Sequence, residues 1–259
     1  MEQGNISSDF MTNAINLKTY PLSETDKIVL MYSEDKGLIR GVAKGVKKAK
    51  SKLGGRMELL VANKLMLHKG RNLSTIAQAE ALNTFYKTRT DMDKMFYSMY
   101  CAEVVLNFGV EDDPSSAEIF NLLYKILEAI SKCENKVDVL LKCLNFQLKM
   151  CRILGYGLDF SSCAVCSKTP ENKEVYFSEA HGGIVCEDCV SGLLGLKKMN
   201  EKLRQFFLAT ESIDFSEKTV YDDRVDEKFA LFCFNFLKDY IAGFSSKPFK
   251  TVAALSAVN

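Results

Sequence analysis

Two cysteine pairs constrain this chain more tightly than any other feature. Cys163 and Cys166, then 19 residues, then Cys186 and Cys189 repeat a C-x2-C knuckle. Two residues between cysteines let both sulfurs of a knuckle reach one tetrahedral ion at about 2.3 Å. The spacer Ser167–Val185 has room for a short hairpin, Val175–Phe177 and Ile184–Val185 around Gly182–Gly183. The pattern predicts one structural Zn2+, with four thiolates and no open position for water. Its binding would contribute on the order of 10 kcal/mol to such a module. Thioredoxin-like redox chemistry is the rival for a single pair, and tandem repetition weakens it. His181, inside the spacer, is expected to be a loop residue because the cysteines complete the shell. His68, beside Lys69, is expected at the surface, so His-based acid–base catalysis is not expected.

A second concentration of chemistry lies nearer the N-terminus. Between Lys36 and Arg56 stand eight basic residues, Lys36, Arg40, Lys44, Lys47, Lys48, Lys50, Lys52 and Arg56, and no acid. The whole protein has a formal net charge of only +1. Residues 1 to 85 hold 13 Lys or Arg against 8 acids, and the remainder holds 21 against 25. Such a stretch in a near-neutral chain is the usual electrostatic footprint of phosphate binding. A solvated surface run is the plainer alternative. However, Gly37, Gly41, Gly45, Gly54 and Gly55 interleave with the cations as in strands flanking a turn, so the charges are expected on a shaped element.

The 259 residues allow one large domain or two smaller ones, and 47% apolar with 26% charged residues suits a globular chain. No apolar run approaches the roughly 20 residues that span a bilayer. The N-terminus, with Glu2 and Asp9, lacks the order of a signal peptide, so a cytoplasmic protein is expected. Cys101, Cys133, Cys143, Cys151 and Cys233 are scattered through apolar helical sequence and read as buried core thiols.

Apolar and β-branched alternation predicts strands near Ala14–Leu22, Lys27–Ser33, Leu38–Val46, Leu59–His68 and Ser74–Ala79. The breaks between them, Pro21–Asp26, Glu34–Gly37, Ser51–Gly55 and Lys69–Asn72, are turn-like. Five short strands fit a small closed barrel of the OB type, and an SH3-like barrel would give a similar pattern. After Phe85 the period becomes helical. Helices are predicted over Met92–Phe108 behind Asp91, from Asp113–Pro114 to about Cys133, over Lys136–Leu154, near Lys198–Glu211, and over Asp226–Ile241 ending at Gly243. The predicted fold is multidomain α+β: an OB-fold barrel, then an all-α domain carrying a four-cysteine zinc ribbon. The expected divisions are an N-terminal extension at 1–11, the OB-fold barrel at 12–84, helical parts at 85–157 and 196–247, the zinc module at 158–195, and a loose tail at 248–259.

Enzymatic alternatives fare poorly. Gly41, Lys44 and Gly45 lack the spacing of a phosphate loop, and no GxSxG or HExxH motif is present. The acidic pairs Asp112–Asp113 and Asp222–Asp223 each precede helical sequence and read as capping charge. No catalytic residue is therefore assigned.

A basic barrel, a helical body and a zinc ribbon in that order resemble the RecO family of bacterial recombination-mediator and DNA-repair proteins. Gly41–Arg56 looks like the family's VAKGxRxxKSxxGG hairpin, and Ile76–Leu82 like its end-of-barrel segment. Leu154-Gly-Tyr156 and Gly182-Gly-Ile-Val-Cys186-Glu-Asp-Cys189 are similar to its zinc region. Similarity runs over roughly residues 12 to 245, and Met11 resembles the more usual start. The resemblance implies a non-catalytic protein that binds single- and double-stranded DNA and anneals complementary strands. It further implies that the protein joins RecR and engages the C-terminal tail of single-stranded DNA-binding protein to help load recombinase. During repair it would associate with the nucleoid.

Within that frame the expected phosphate contacts are Arg40, Lys44, Lys47, Lys48, Lys50, Lys52 and Arg56, acting by charge with little sequence preference. Tyr20 and Tyr32 are candidates for base stacking, and barrel-core packing accounts equally well for each. Lys125, Lys132, Lys142, Lys149 and Arg152 are cations near apolar helical faces where an acidic partner tail would dock, and a solvated face explains them as well. An RNA-binding or ribosome-associated barrel–ribbon protein, or a pure assembly scaffold, are the alternative functions.

Overall fold

The computed structural model describes residues 9–70, 73–170, 174–211, 213–215 and 225–251. Its first strands are β1 (Asp9–Pro21), β2 (Lys27–Ser33), β3 (Gly37–Ala43), β4 (Ala62–His68) and β5 (Ser74–Asn83), closed in the order β1-β2-β3-β5-β4. Neighbours are antiparallel except β3 and β5, which run parallel. This ordering is OB-like and removes the SH3-like alternative. Alternate residues point inward, so Ala14, Val29, Met31, Ala43, Leu65, Leu67 and Ile76 share one core.

Closure is short: Gly41 stands opposite Ser74, and Val42 opposite Thr75. Position 41 must be glycine for steric reasons, since a Cβ there would lie 2.8 Å from Ile76 Cγ1. The first strand begins at Asp9, within the stretch assigned to an N-terminal extension, because Asp9, Phe10 and Met11 pair with His68, Leu67 and Met66. Residues 1–8 of that extension lie outside the described residues, as do Asp222, Asp223 and tail residues 252–259.

The five long helices are α1 (Met92–Phe108), α2 (Ser116–Lys132), α3 (Lys136–Ile153), α4 (Glu201–Glu211) and α5 (Glu227–Phe244). Asp91 caps α1 by accepting from the Lys94 amide at 2.9 Å, and Asn135 caps α3 by accepting from Asp138 at 2.9 Å. Three expected boundaries are corrected. Asp113 does not cap α2 through Pro114; its carboxylate instead accepts from the Ser115 amide and the Tyr32 hydroxyl, and the helix starts at Ser116. Lys198 lies in a strand rather than in α4, paired with Tyr176 and bridged to Glu174. Gly243 sits inside the last turn of α5, which runs on to Phe244. No helix among the described residues is long and apolar enough to cross a membrane.

The chain forms two compact units, residues 1–133 with 245–259, and residues 134–244. In the first, the β2–β3 turn is laced to the α1–α2 connection. The Leu38 amide donates to Val110 O at 2.8 Å, Asp112 N to Lys36 O at 2.8 Å, and Ser116 Oγ to Glu34 O at 2.9 Å. Tyr32 is fully buried at this seam, its hydroxyl 3.0 Å from Asp113 Oδ2. Burial, then the Asp113 carboxylate, pushes its phenol well above the ordinary range. The strap after α5 returns to α1, where Glu103 accepts from the amides of Lys250 and Thr251 at 2.8 and 2.9 Å.

In the second unit α3 is the central helix, with residues 141–148 all buried. Its polar members have work to do: Asn145 donates to Thr210 O and Ile213 O, and Lys142 to Phe215 O, satisfying carbonyls where α4 ends. Four short strands, β6 (Asp159–Cys163), β7 (Val175–Ser178), β8 (Gly183–Cys186) and β9 (Lys197–Met199), form a sheet in the order β6-β8-β7-β9. Phe160 stacks on Phe207 of α4 with ring centroids 4.7 Å apart.

Replacing Gly41 by Val drives a branched side chain into Ile76 at the only parallel seam of the barrel. We expect a loss of about 1–3 kcal/mol, as for other overpacked cores, measured by chemical denaturation of the full chain. An unchanged midpoint would contradict the closure described here.

Candidate nucleic-acid interface and metal centre

The basic stretch is not a hairpin. β3 ends at Ala43 and pairs with β2 and β5, while β4 begins at Ala62 and pairs with β1 and β5. Residues between them form a crossing loop with one 3-10 turn at Gly54–Met57. Gly45 ends the strand by adopting φ 62, a left-handed conformation open to glycine. Asp26, from the β1–β2 loop, accepts the Gly45 amide at 2.7 Å, and Thr25 O accepts the Lys47 amide at 3.0 Å. This amide bond, then Thr25, holds the Asp26 carboxyl below its ordinary value.

The far end of the loop is held by two buried asparagines that sequence reasoning missed. Asn16 donates to Arg56 O and Glu58 O, both at 2.8 Å, and Asn63 donates to Arg56 O at 2.9 Å. Both residues are fully buried in strands otherwise lined by apolar side chains, and an Asn inside such alternation was the available signal. Val46 and Met57 are buried in the barrel core, with Leu53 partly buried against it, so the loop is anchored by side chains as well as backbone.

These anchors display charge between them. Lys44, Lys47, Lys48, Lys50, Lys52 and Arg56 are all exposed and among the described residues none of them makes an ion pair, though Lys47 Nζ donates to Ser23 O at 2.9 Å and Arg56 Nη1 to Lys52 O at 2.6 Å. Arg40 differs: it lies on β3 and is 3.4 Å from Glu111, so a carboxylate already meets its charge. Six like charges on one loop repel one another, and a polyanion relieves that repulsion. The cations named for a partner tail are less available. Lys142 and Lys149 donate to Phe215 O and Ile213 O at 2.9 Å, Arg152 pairs with Glu211, and Lys132 with Glu128. Lys125 is exposed.

The four predicted ligands converge. Cys163 closes β6, Cys186 closes β8, and Cys166 and Cys189 follow in the adjoining turns. Their sulfurs lie within 4.8 Å of one another, with Cys166 and Cys186 at 3.8 Å. Tetrahedral bonds of about 2.3 Å separate thiolates by about 3.8 Å, so the cluster fits one ion of zinc's size. Burial opposes ionisation of Cys163, but the amides of Cys186, Cys166 and Val165 outweigh it and hold this thiol down at about 6. Hydrogen bonding from Cys186, then burial, pushes Cys189 up to about 12. One thiolate therefore disfavours the next, and a divalent cation bound among them would permit four. His181 stays outside the cluster, with Nδ1 2.9 Å from Ser178 Oγ. His68 is exposed and meets Asp9 at 2.6 Å. Cys101, Cys133, Cys143, Cys151 and Cys233 are buried, as expected.

The strand that leads to Cys163 is tied to a helix of its own unit. Arg204 of α4, 5% exposed, donates through Nη1 to Phe160 O at 2.9 Å and clasps Glu201 through Nε and Nη2, each at 2.8 Å.

Two family models match the chain, Recombination protein O N terminal over residues 8–85 and Recombination protein O C terminal over residues 89–249. The DNA repair protein RecO of Clostridium novyi is 32% identical over 182 residues, covering 70% of each chain. That of a Synechococcus species is 34% identical over 189 residues, 70% of this chain and 66% of the relative. That of Trichodesmium erythraeum is 40% identical over 129 residues, 50% and 44% of the two chains.

Two outcomes follow from this geometry. Elemental analysis of purified protein should find one divalent ion per chain, and none in a Cys163→Ser/Cys186→Ser variant. Chelation should remove hydrogen-exchange protection from β6–β9 while β1–β5 keep theirs. Second, Asp26→Ala should speed tryptic cleavage at Lys47–Lys52 by unfastening the loop. The tie is fully formed at neutral pH and weakens only as pH falls through the depressed Asp26 value, so cleavage rates at pH 6 and 8 should differ from wild type alike.

Proposed function

The chain belongs to the recombination protein O family, and from that premise we propose that it is a non-catalytic mediator of DNA repair. It binds single- and double-stranded DNA through the crossing loop and anneals complementary strands. With RecR it helps load recombinase on DNA coated by single-stranded DNA-binding protein, whose C-terminal tail it engages. The observation that supports this reading best is the loop itself. Six exposed cations that make no ion pair among the described residues stand between two sets of anchors, so they meet phosphates without the loop first being ordered. Lys44, Lys47, Lys48, Lys50, Lys52 and Arg56 carry the contact, and Arg40 contributes once Glu111 releases it.

Annealing follows from the same charge. Cations that neutralise phosphates on two strands reduce the repulsion between them, while bases that are not read in a groove stay free to pair. Zn2+ held by Cys163, Cys166, Cys186 and Cys189 supports the fold of the second unit and takes no part in chemistry. We take the DNA-binding barrel from Asp9, where β1 starts, through residue 84, and keep 158–195 as the zinc module. The protein works in the cytoplasm, at the nucleoid during repair.

The test is fluorescence anisotropy of labelled single-stranded DNA against salt. If about five cations meet phosphates, log affinity falls against log salt with a slope near about −3.5. The Lys47→Ala/Lys48→Ala/Lys50→Ala/Lys52→Ala variant should bind more weakly with a flatter slope. An identical slope would remove the loop from the interface, and stronger binding to structured RNA than to DNA would favour the RNA-binding alternative.

A further inference from the structure

The cations account for affinity to any polyanion, but the sheet beside them has a chemistry of its own. In β1 and β2, Lys18 stands opposite Leu30 and Tyr20 opposite Ile28. In β2 and β3, Ile28 stands opposite Val42 and Leu30 opposite Arg40. Residues directly opposite share a face. The alternate set, Val29, Met31 and Ala43, fills the core, so these six side chains point outward from β1–β3, with Val42 buried and the other five at least partly exposed.

That surface is covered at one end and open at the other. Tyr32 and its β1 partner Ile15 are fully buried at the helical end. Two and four residues back along β2, Leu30 and Ile28 are half-buried, and Tyr20 is 41% exposed. The open end adjoins the basic loop, since Tyr20 and Pro21 lead into the Leu22–Asp26 turn that holds Gly45 and Lys47.

We propose that this open end, centred on Tyr20 with Ile28 and Leu30 beside it, is a platform on which the bases of a single strand stack. The reading rests on the crossing loop binding phosphates, and it names the form of nucleic acid the site prefers. Charge complementarity selects this occupant. Lys18 Nζ lies 5.0 Å from the Tyr20 ring centroid, and Lys44 and Lys47 stand at the start of the loop. Most acids nearby are engaged, Asp26 by the Gly45 amide, Glu58 by Lys27 at 3.3 Å and Glu111 by Arg40; Glu24, in the same turn, is exposed, and the surrounding cations outnumber it. An aromatic ring bordered by aliphatic side chains and cations takes the face of an unpaired base and the phosphate attached to it. A duplex keeps its base faces stacked inside and gains only the phosphate contacts. Tyr32, the other tyrosine of the barrel's outer face, is closed off and contributes nothing to the platform.

The test uses the full zinc-loaded chain and oligothymidine beside a duplex of equal length, each titrated at several salt concentrations. Tyr20→Ala should weaken oligothymidine binding by on the order of 10-fold, leave duplex affinity unchanged and keep the wild-type salt slope. Tyr20→Phe, which retains the ring, should bind as wild type does. The chain contains no tryptophan, so Tyr20→Trp supplies a single emitter at the site. Oligothymidine should quench it, and duplex should not. If wild type binds with a salt-dependent slope and Tyr20→Ala matches it on oligothymidine, the platform is wrong and the loop stands. Equal losses on both ligands would also overturn stacking. If wild type shows no salt-dependent binding to either ligand, the loop reading fails and the platform falls with it.

Discussion

Because β3 closes the barrel against β5 rather than β4, the chain must cross an end of the barrel between Ala43 and Ala62. That crossing determines what the first unit offers to a ligand. A hairpin would have used its backbone groups in strand pairing and spread the cations over two sheet faces. A crossing loop leaves backbone amides and carbonyls to be satisfied by other means, and the barrel supplies them through Asp26, Thr25, Asn16 and Asn63. Leu60, at φ 61, accepts a left-handed backbone where the loop rejoins the sheet, held by hydrogen bonds between the Asn16 backbone and Leu60 and Val61. The cations are thus presented by a segment whose far end is set by uncharged asparagine hydrogen bonds, while its near end is held by the Asp26 carboxylate and the Thr25 carbonyl.

The second unit meets a different constraint. Strands of three to five residues cannot bury enough apolar surface to stand alone. Four sulfurs gathered within 4.8 Å substitute a metal-binding cluster for part of a core. The sheet also packs aromatic rings, Phe160 on Phe207 and Phe177 on Phe236, against α4 and α5. Arg204 then joins helix and strand through a carbonyl, so its charge is compensated by Glu201 and its donors by backbone. Replacing a buried, doubly bonded guanidinium would leave Glu201 and Phe160 O without it, which makes Arg204 more than a packing residue.

Particular residues show where sequence reasoning reaches and where it stops. Asp91 declared the start of α1 because capping is a local interaction within three residues. Asp113 misled for the same reason: its carboxylate is taken by Tyr32, 81 residues away, and no local pattern reports that bond. Tyr20 and Tyr32 look alike in the sequence, both in alternating strands. Only the helices packed over one end of β1–β3 bury the second and leave the first open. Lys142 and Lys149 read as surface cations, yet their amines cap carbonyls that follow α4, a partnership set by helix packing.

The sequence by itself determined the four-cysteine cluster, the five barrel strands, the helical body and the concentration of positive charge. These depend on spacing of two, on periods of 2 and 3.6, and on composition, all of which are local properties of a chain. Tertiary structure alone decided that the basic stretch crosses the barrel end instead of forming a hairpin, which cations have lost their freedom to carbonyls or carboxylates, and which tyrosine faces solvent. Each of those outcomes requires a contact between segments far apart in sequence, and the energy of such a contact resides in neither segment before they meet.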